Sequence, residues 1–286
     1  MTKQEYKELV ARRTVLLDGA TGSNLMKMGM PKGICTEAWI AENPEPLMEL
    51  QRQYVQAGSD IVYAPTFAAN RICLNEHGLG EQTEELNRKL VDISKKATAG
   101  NCYVLGDMTT TGKPDLPYDV LFSAYQEQAK VLYESGVDLI GAETMIGAEE
   151  TMAAIDAVFS VCDLPMTCTM TIESDGSLFF GGNVFDAAVS FQEMGVSAVG
   201  INCSTGPDQL VAVVSHLRDI VDIPIIVKPN LGLPFIDEQG NAIYQMTAES
   251  FAQSMKRLID CGADVVGGCC GTTPECIRMV KEYIGE

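Results

Sequence analysis

A strand–helix unit that repeats along the chain is the feature that most constrains its fold. Short runs rich in β-branched residues each lead into a turn and then into an amphipathic stretch. The predicted strands are Val15–Asp18, Asp60–Ala64, Tyr103–Asp107, Asp138–Glu143, Met166–Thr171, Ala198–Asn202, Ile225–Lys228 and Asp264–Gly268. The predicted helices are Pro46–Ala57, Gln82–Ala99, Val120–Ser135, Ala148–Val161, Ala187–Met194, Asp208–Val221 and Thr247–Asp260. This alternation is typical of parallel α/β folds, and eight strands suit a closed (β/α)8 TIM-type barrel.

A short motif that occurs four times supports this periodicity. Ala57–Val62, Ser135–Ile140 and Cys261–Val266 share a Gly, an Asp two residues later and then two aliphatic residues, whereas Met194–Val199 has Ser for Asp. Each Gly can end a helix in the left-handed conformation just before a strand. Periodicity alone does not show closure, so a doubly wound open sheet is the alternative. Because no linker or charge run divides residues 1–286, we expect a single barrel domain with a short N-terminal helix.

Composition narrows the classes of function. Twenty Lys and Arg against thirty-nine Asp and Glu give a net charge of −19, which argues against nucleic acid or an anionic membrane as partner. No apolar run reaches the roughly 20 residues that span a bilayer, and the N-terminus lacks an apolar signal core, so we expect a cytoplasmic protein. With only two His among 286 residues, the chemistry must depend mainly on carboxylates and on the ten cysteines.

Three of these cysteines fall at the ends of predicted strands, where a barrel places its active site. Cys203 ends the sixth strand, and Cys269 and Cys270 end the eighth. The glycines that flank Cys269 and Cys270 allow the backbone to turn both thiols inward. Three thiolates on Zn²⁺ leave a fourth position open, which is the catalytic arrangement, and soft sulfur ligands favour zinc.

Two other interpretations of these residues stay open. Buried cysteines usually serve as small apolar side chains. Alternatively, the Gly-rich segment 267–273 could cradle a phosphate with its backbone N–H groups, and Lys228 could form a Schiff base as in an aldolase. The second interpretation explains the glycines and the lysine but gives the three cysteines no role.

Five segments together make the chain resemble the homocysteine S-methyltransferase family, most closely the homocysteine-binding module of cobalamin-dependent methionine synthase. The segments are Leu17–Ser23, Glu143–Thr144, Gly200–Pro207, Lys228–Pro234 and Gly267–Pro274. The resemblance implies a zinc-bearing (β/α)8 barrel that binds L-homocysteine and makes L-methionine. It implies that Cys203, Cys269 and Cys270 are the zinc ligands, and zinc deprotonates a bound thiol.

The amino-acid end of such a substrate also needs partners. Asp18 and Glu143 are predicted to hold the ammonium group, and the alternatives are a helix cap for Asp18 and a lysine partner for Glu143. Gly19, Ala20 and Thr21 are predicted to open a helix whose free N–H groups bind the carboxylate. Asn230 resembles a family residue near the metal and is expected to make a supporting polar contact.

Departures from the family pattern concern the loops and the methyl donor. Pro65 stands in Ala64–Phe67 where methionine synthases usually have Thr-Asn-Thr-Phe, and Asp107 stands where a Gly-Pro pair is familiar. Because the last predicted helix, Pro274–Ile284, lies at the end of the sequence, we expect no folate or cobalamin domain after it. We therefore expect an external donor, first a separate methyl-corrinoid protein. The alternatives are a small donor (S-methylmethionine, betaine or methylfolate) or a non-catalytic zinc- and thiol-binding docking module.

Overall fold

Eight parallel strands form the central sheet of the computed structural model, which describes residues 1–237 and 242–285. In chain order the described strands are β1 (Val15–Leu16), β2 (Ile61–Tyr63), β3 (Tyr103–Met108), β4 (Leu139–Met145), β5 (Met166–Met170), β6 (Ala198–Asn202), β7 (Ile225–Lys228), β8 (Phe235–Ile236), β9 (Ala242–Ile243) and β10 (Val265–Val266). The sheet order is β1-β10-β7-β6-β5-β4-β3-β2, and β8 and β9 form a separate antiparallel pair. A parallel bridge between Leu17 and Ile61 joins the two ends of this order. The predicted (β/α)8 TIM-type barrel is therefore confirmed over the open sheet.

Helices surround this barrel. The described α-helices are α1 (Lys3–Arg12), α2 (Gly22–Lys27), α3 (Thr36–Glu42), α4 (Pro44–Ala57), α5 (Arg71–Asn75), α6 (Thr83–Thr98), α7 (Tyr118–Glu134), α8 (Ala148–Val161), α9 (Val184–Glu193), α10 (Val211–Ile220), α11 (Ala248–Asp260) and α12 (Pro274–Ile284). The predicted helices correspond to α4 and α6 to α12, with ends that differ by up to three residues, and the predicted N-terminal helix is α1. Within residues 1–237 and 242–285, no helix has both the length and the apolar composition that crossing a membrane requires.

The barrel interior is apolar at the N-terminal ends of its strands. Side chains from seven strands and from the residue that follows β1 form one buried cluster, in which five members are the first residue of their strand and Tyr63 reaches the C-terminal end: Val15, Leu17, Ile61, Tyr63, Leu105, Leu139, Ala198, Ile226 and Val265. Helix α1 packs on this cluster through Tyr6, which is buried. The helix begins with a capping box between Thr2 and Glu5, which satisfies its first amides. With this end covered, access to the barrel interior lies at the C-terminal ends of the strands.

The repeated motif has a structural role at the N-terminal ends of the strands. Its four glycines have φ values of +105° (Gly58), +75° (Gly136), +91° (Gly195) and +111° (Gly262), so the prediction of left-handed helix ends is confirmed. The motif's aspartates each accept a hydrogen bond from a backbone N–H of the strand beside their own. These bonds run from Leu16 to Asp60 (2.9 Å), from Val104 to Asp138 (2.8 Å) and from Ile225 to Asp264 (2.9 Å). The three aspartates of the repeat thus bond β1 to β2, β3 to β4 and β7 to β10 at the N-terminal ends of these strands.

We expect Asp60→Ala to lower the free energy of unfolding by about 1–3 kcal/mol, because the Leu16 amide loses its acceptor. Arg13 would also lose its ion pair with Asp60. The matched control is Asp163→Ala, since the Asp163 side chain is fully exposed and pairs only across the surface with Lys3. That change should stay within about 0.5 kcal/mol. Equal effects in urea titrations of the two variants would contradict a structural role for the motif.

Candidate metal centre and substrate cavity

A cavity of about 1210 Å³ opens at the C-terminal ends of the barrel strands. Of the nine site residues predicted from the sequence, eight line it: Asp18, Gly19, Ala20, Thr21, Glu143, Cys203, Cys269 and Cys270. The ninth, Asn230, is not among the described residues of this lining. It is buried after β7, where its N–H donates to the Thr205 carbonyl (3.0 Å) and its Oδ1 has no protein partner within the described chain.

The three cysteine sulfurs converge at one edge of this cavity. The sulfurs of Cys203, Cys269 and Cys270 all lie within 4.8 Å of one another, and those of Cys203 and Cys270 are 3.5 Å apart. Cys203 follows the end of β6 with a φ of +50°, a left-handed conformation that is costly for a residue with a side chain. After β10, Gly271 also has a positive φ (+85°) and turns the chain back. Local backbone turns, not regular strand geometry, therefore bring the sulfurs together.

The chemistry of this cluster fits a metal cation. Among the described residues, it is the one group of three potential His, Cys, Asp or Glu ligands close enough to share an ion. Hydrogen bonds from Cys203 and Cys269 lower the pKa of Cys270, whereas a hydrogen bond to Cys203 raises the pKa of Cys269. Without a cation the three sulfurs share their protons, because adjacent thiolates repel one another. A soft, doubly charged ion such as Zn²⁺ would replace those protons.

The backbone of the same segment does not form an anion cradle. The amide of Gly268 donates to the Asp18 carbonyl (3.0 Å), that of Cys269 to the Pro229 carbonyl (2.8 Å) and that of Gly271 to Ser23 Oγ (3.3 Å). A phosphate site needs such amides free and directed at the ligand. The phosphate interpretation of segment 267–273 is therefore not supported by the geometry.

A cluster of charged side chains lies deeper in the same cavity. Lys228, at the end of β7, places its Nζ 2.7 Å from Glu143 Oε2 and 4.0 Å from Asp18 Oδ1. The same ammonium lies 3.3 Å from the centroid of the Tyr63 ring, a cation–π contact. Asp107, at the end of β3, is a further buried carboxyl group of this cluster and also lines the cavity. The lysine partner considered for Glu143 from the sequence is thus present, and it is Lys228.

These contacts determine the charges of the cluster. Burial raises the pKa of Asp18 from 3.8 to about 7. Burial, and then the charge of Glu143, raises the pKa of Asp107 well above its ordinary value. Burial lowers the pKa of Lys228, but Glu143, Tyr63, Asp18 and Asp107 together raise it by more, so that the net shift is well upward. A Schiff-base lysine needs a lowered pKa to be nucleophilic, and Lys228 is held in the protonated state.

The segment after β1 differs in detail from its prediction. Helix α2 begins at Gly22 and not at Gly19, and the Ala20 N–H already donates to Thr272 Oγ1 (3.1 Å). Gly19 must be glycine, because a Cβ there would lie 2.7 Å from the Tyr54 hydroxyl. Asp18 does not cap α2, since its Oδ2 accepts from the Tyr63 amide (2.9 Å).

Several residues of the site did not emerge as site residues from the sequence. Asn202 holds an irregularity near the end of β4: its Oδ1 accepts from the Thr144 amide (2.8 Å) and its Nδ2 donates to Thr144 Oγ1 (2.8 Å). Thr144 has a φ of +57° at that irregularity. Tyr244 covers the cysteine turn, because a Cβ at Gly271 would lie 2.5 Å from its ring. Asn202 could have been found from the sequence, because it ends a predicted strand beside Cys203. Tyr244 lies at no predicted strand end, and no sequence pattern pointed to it.

Asp18→Asn should change how stability depends on pH. In the unfolded chain the Asp18 carboxyl is ionised above pH 5, whereas in the folded protein its pKa is about 7. The folded state therefore binds an extra proton at pH 5 and loses it as the pH rises through 7. This makes wild-type stability fall by up to about 1.4 kcal/mol per pH unit in that range.

The variant lacks this proton, so its unfolding free energy relative to wild type should increase between pH 5 and pH 8. Urea titrations at four pH values measure the difference. A constant difference across the range would contradict the raised pKa of Asp18. The exposed Asp163→Asn variant serves as the control, and its free energy of unfolding should depend on pH in the same way as that of wild type.

Comparison with known proteins agrees with this architecture. Residues 15–284 match the family model described as homocysteine S-methyltransferase. The methionine synthases of Mycobacterium leprae and Mycobacterium tuberculosis are each 30% identical to the chain over 299 aligned positions, which cover 97% of the chain. The chain spans about a quarter (25%) of the length of these two relatives.

A solved structure shows the same fold. The metallated form of the homocysteine methyltransferase MmuM from Escherichia coli superposes with a TM-score of 0.82 at 23% sequence identity. The match covers 96% of this chain and 98% of that one. At this identity the likeness establishes the barrel architecture and not the chemistry.

Proposed function

This chain belongs to the homocysteine S-methyltransferase family, and from that premise we propose that it transfers a methyl group to the sulfur of L-homocysteine. The product is L-methionine, and the cofactor is Zn²⁺ held by Cys203, Cys269 and Cys270. The observation that carries the proposal is the convergence of these three sulfurs, within 4.8 Å of one another, at the edge of the cavity. A non-catalytic docking module would have no need of an open ligand position beside buried carboxylates.

Different residues of the chain are proposed to bind the thiol end and the amino-acid end of the substrate. A free thiol with a pKa near 8.5 is only about 3% ionised at pH 7, and Zn²⁺, when bound, supplies the charge that keeps a thiol ionised. Asp18 and Glu143 are the proposed carboxylates for the ammonium group, and the turn Gly19–Thr21 is the proposed site for the substrate carboxylate. Asn230 presents an unpartnered, buried Oδ1 after β7 and is proposed as a supporting polar contact.

A separate methyl-corrinoid protein is the proposed methyl donor. Nine exposed, large apolar side chains lie on the segments that follow β1, β5 and β7, at the end of the barrel that holds the cavity: Met26, Met28, Ile34, Phe179, Phe180, Leu233, Phe235, Ile236 and Ile243. Exposed apolar residues around a cavity mouth favour contact with a macromolecule. The alternative is a small donor such as S-methylmethionine, betaine or methylfolate, for which such a rim has no role.

The proposed location is the cytoplasm. All ten cysteines of the sequence are free thiols in the structure. Cys203 and Cys270, with sulfurs 3.5 Å apart, are close enough for oxidation to compete with metal binding. A reducing compartment preserves such thiols as ligands.

Cys203→Ser, Cys269→Ser and Cys270→Ser should each weaken zinc binding by at least about 100-fold, since each removes a charged ligand. Methionine formation from homocysteine should fall with it. Zinc content after dialysis against a chelator, together with product analysis, measures both. Cys261→Ser is the matched control, because this half-buried thiol ends α11 away from the cavity and should leave both quantities unchanged. Normal zinc retention in any of the first three variants would remove that residue from the ligand set.

A donor screen separates the two transferase mechanisms. Zinc-loaded protein with homocysteine should form methionine from free methylcobalamin or a methylated corrinoid protein, and not from S-methylmethionine, betaine or methylfolate. Turnover with one of the small donors alone would overturn the corrinoid proposal. Absence of any thiol binding at the metal would favour the docking module.

Ile236→Asp should slow transfer from a methylated corrinoid protein by roughly tenfold or more, because it places a charge in the apolar rim. Transfer from free methylcobalamin should stay unchanged, since Ile236 is 66% exposed and outside the cavity lining. The control is Tyr133→Asp, which alters an apolar side chain of similar exposure (48%) on α7. Equal rates for all three proteins with the corrinoid donor would contradict docking at the rim.

A further inference from the structure

Two carboxylate oxygens in the substrate cavity have no hydrogen-bond partner among the described residues. Asp18 Oδ1 and Asp107 Oδ1 are buried and accept no hydrogen bond from the described residues. Both residues line the cavity, and their relative exposures are only 1% and 3%. Buried carboxylate oxygens are normally satisfied, because an unpaired one costs the full desolvation of a charged acceptor. The cavity therefore holds two acceptor atoms that are suited to a cationic ligand.

Glu143 already has a cation at hydrogen-bond distance, whereas Asp18 and Asp107 do not. Its Oε2 lies 2.7 Å from the Lys228 ammonium and 3.5 Å from Asn202 Nδ2. A substrate ammonium that approached Glu143 would have to compete with Lys228, which is itself buried and cannot move to water. Exchange of one ammonium for another at Glu143 would take from the buried lysine its closest carboxylate and leave it only the longer contact with Asp18, which is unfavourable for a buried charge.

The net charge of the cluster also favours a cation at Asp18 Oδ1 and Asp107 Oδ1. Three carboxyl groups (Asp18, Asp107 and Glu143) share one ammonium, that of Lys228. When all are ionised, this cluster has room for a second cation without becoming positive. Burial raises the pKa values of both Asp18 and Asp107, as expected for carboxyl groups without a close cation.

We infer that Asp107 is a substrate-binding residue that, together with Asp18, holds the ammonium group of the amino-acid substrate while Glu143 stays paired with Lys228. This inference rests on the proposed function and revises one part of it, because Asp107 takes the place given above to Glu143 at the ammonium group. Asp107 stands where the family pattern has a different pair of residues, so the chain's own sequence supplies this contact. Glu143 then acts through Lys228, whose ammonium sets the charge of the pocket.

The test is the discrimination between an amino thiol and the same thiol without the amino group. L-homocysteine and 4-mercaptobutanoate differ only in that group. Their dissociation constants can be measured by calorimetry on the zinc-loaded full chain, with no methyl donor present. In Asp107→Asn, L-homocysteine should bind roughly 10- to 100-fold more weakly, because a charged hydrogen bond is lost. Binding of 4-mercaptobutanoate should be unchanged or tighter.

The matched control is Glu150→Gln. Glu150 is a buried carboxylate whose oxygens accept from Thr110, Thr111 and Tyr125 outside the cavity lining. Its replacement should leave the ratio of the two constants unchanged. If Asp107→Asn does not fold, Asp107→Ser is judged by the same ratio.

Each result of this experiment decides the inference. Selective loss of L-homocysteine binding in the Asp107 variant supports it. Equal weakening of both thiols, or no change in either, overturns it and leaves the proposed function standing. If wild-type protein binds neither thiol, the proposed function fails, and the inference fails with it.

Discussion

The end of strand β7 is the structural element on which the whole site depends. The Lys228 carbonyl accepts the Cys203 amide (3.1 Å), and the next carbonyl, that of Pro229, accepts the Cys269 amide (2.8 Å). Two cysteine loops that belong to β6 and β10 are thus tied to the strand between them. The Cys270 carbonyl in turn accepts a hydrogen bond from the Leu231 amide (2.9 Å), so the cysteine loop after β10 is bonded a second time to the segment that follows β7. Because these are main-chain bonds, the cysteine loops stay close to each other whichever side chains surround them.

The same residue links the two halves of the site. Lys228 contributes its carbonyl to the cysteine loops and its ammonium to Glu143 and Asp18. Its side chain also lies against the Tyr63 ring, and the Tyr63 amide binds Asp18. The sulfur ligands and the carboxylates are therefore held in a fixed relation by one short strand. A substrate with a thiol at one end and an amino group at the other matches that relation.

The architecture was largely predictable from the sequence, because it depends on local patterns. The Gly and Asp of the repeated motif are encoded within six residues, and the spacing of strands and helices follows from it. The cysteines were identifiable because glycines flank Cys269 and Cys270 and because Cys203 ends a strand. The short helices α3 and α5 and the β8–β9 pair were not predicted, and α2 was predicted with a different start, since five- to seven-residue helices and two-residue strands carry no periodicity.

The ionic organisation of the site was beyond the reach of sequence patterns. Glu143 and Lys228 are 85 positions apart, and their pairing follows only from the closure of the barrel. The left-handed conformation of Thr144 and Cys203 likewise depends on tertiary bonds, those of Asn202 and of the Lys228 carbonyl, and not on residue type. Strain at these two positions is compensated by contacts from neighbouring strands. Such compensation is characteristic of functional sites, where the local preference of a residue yields to the geometry that the chemistry requires.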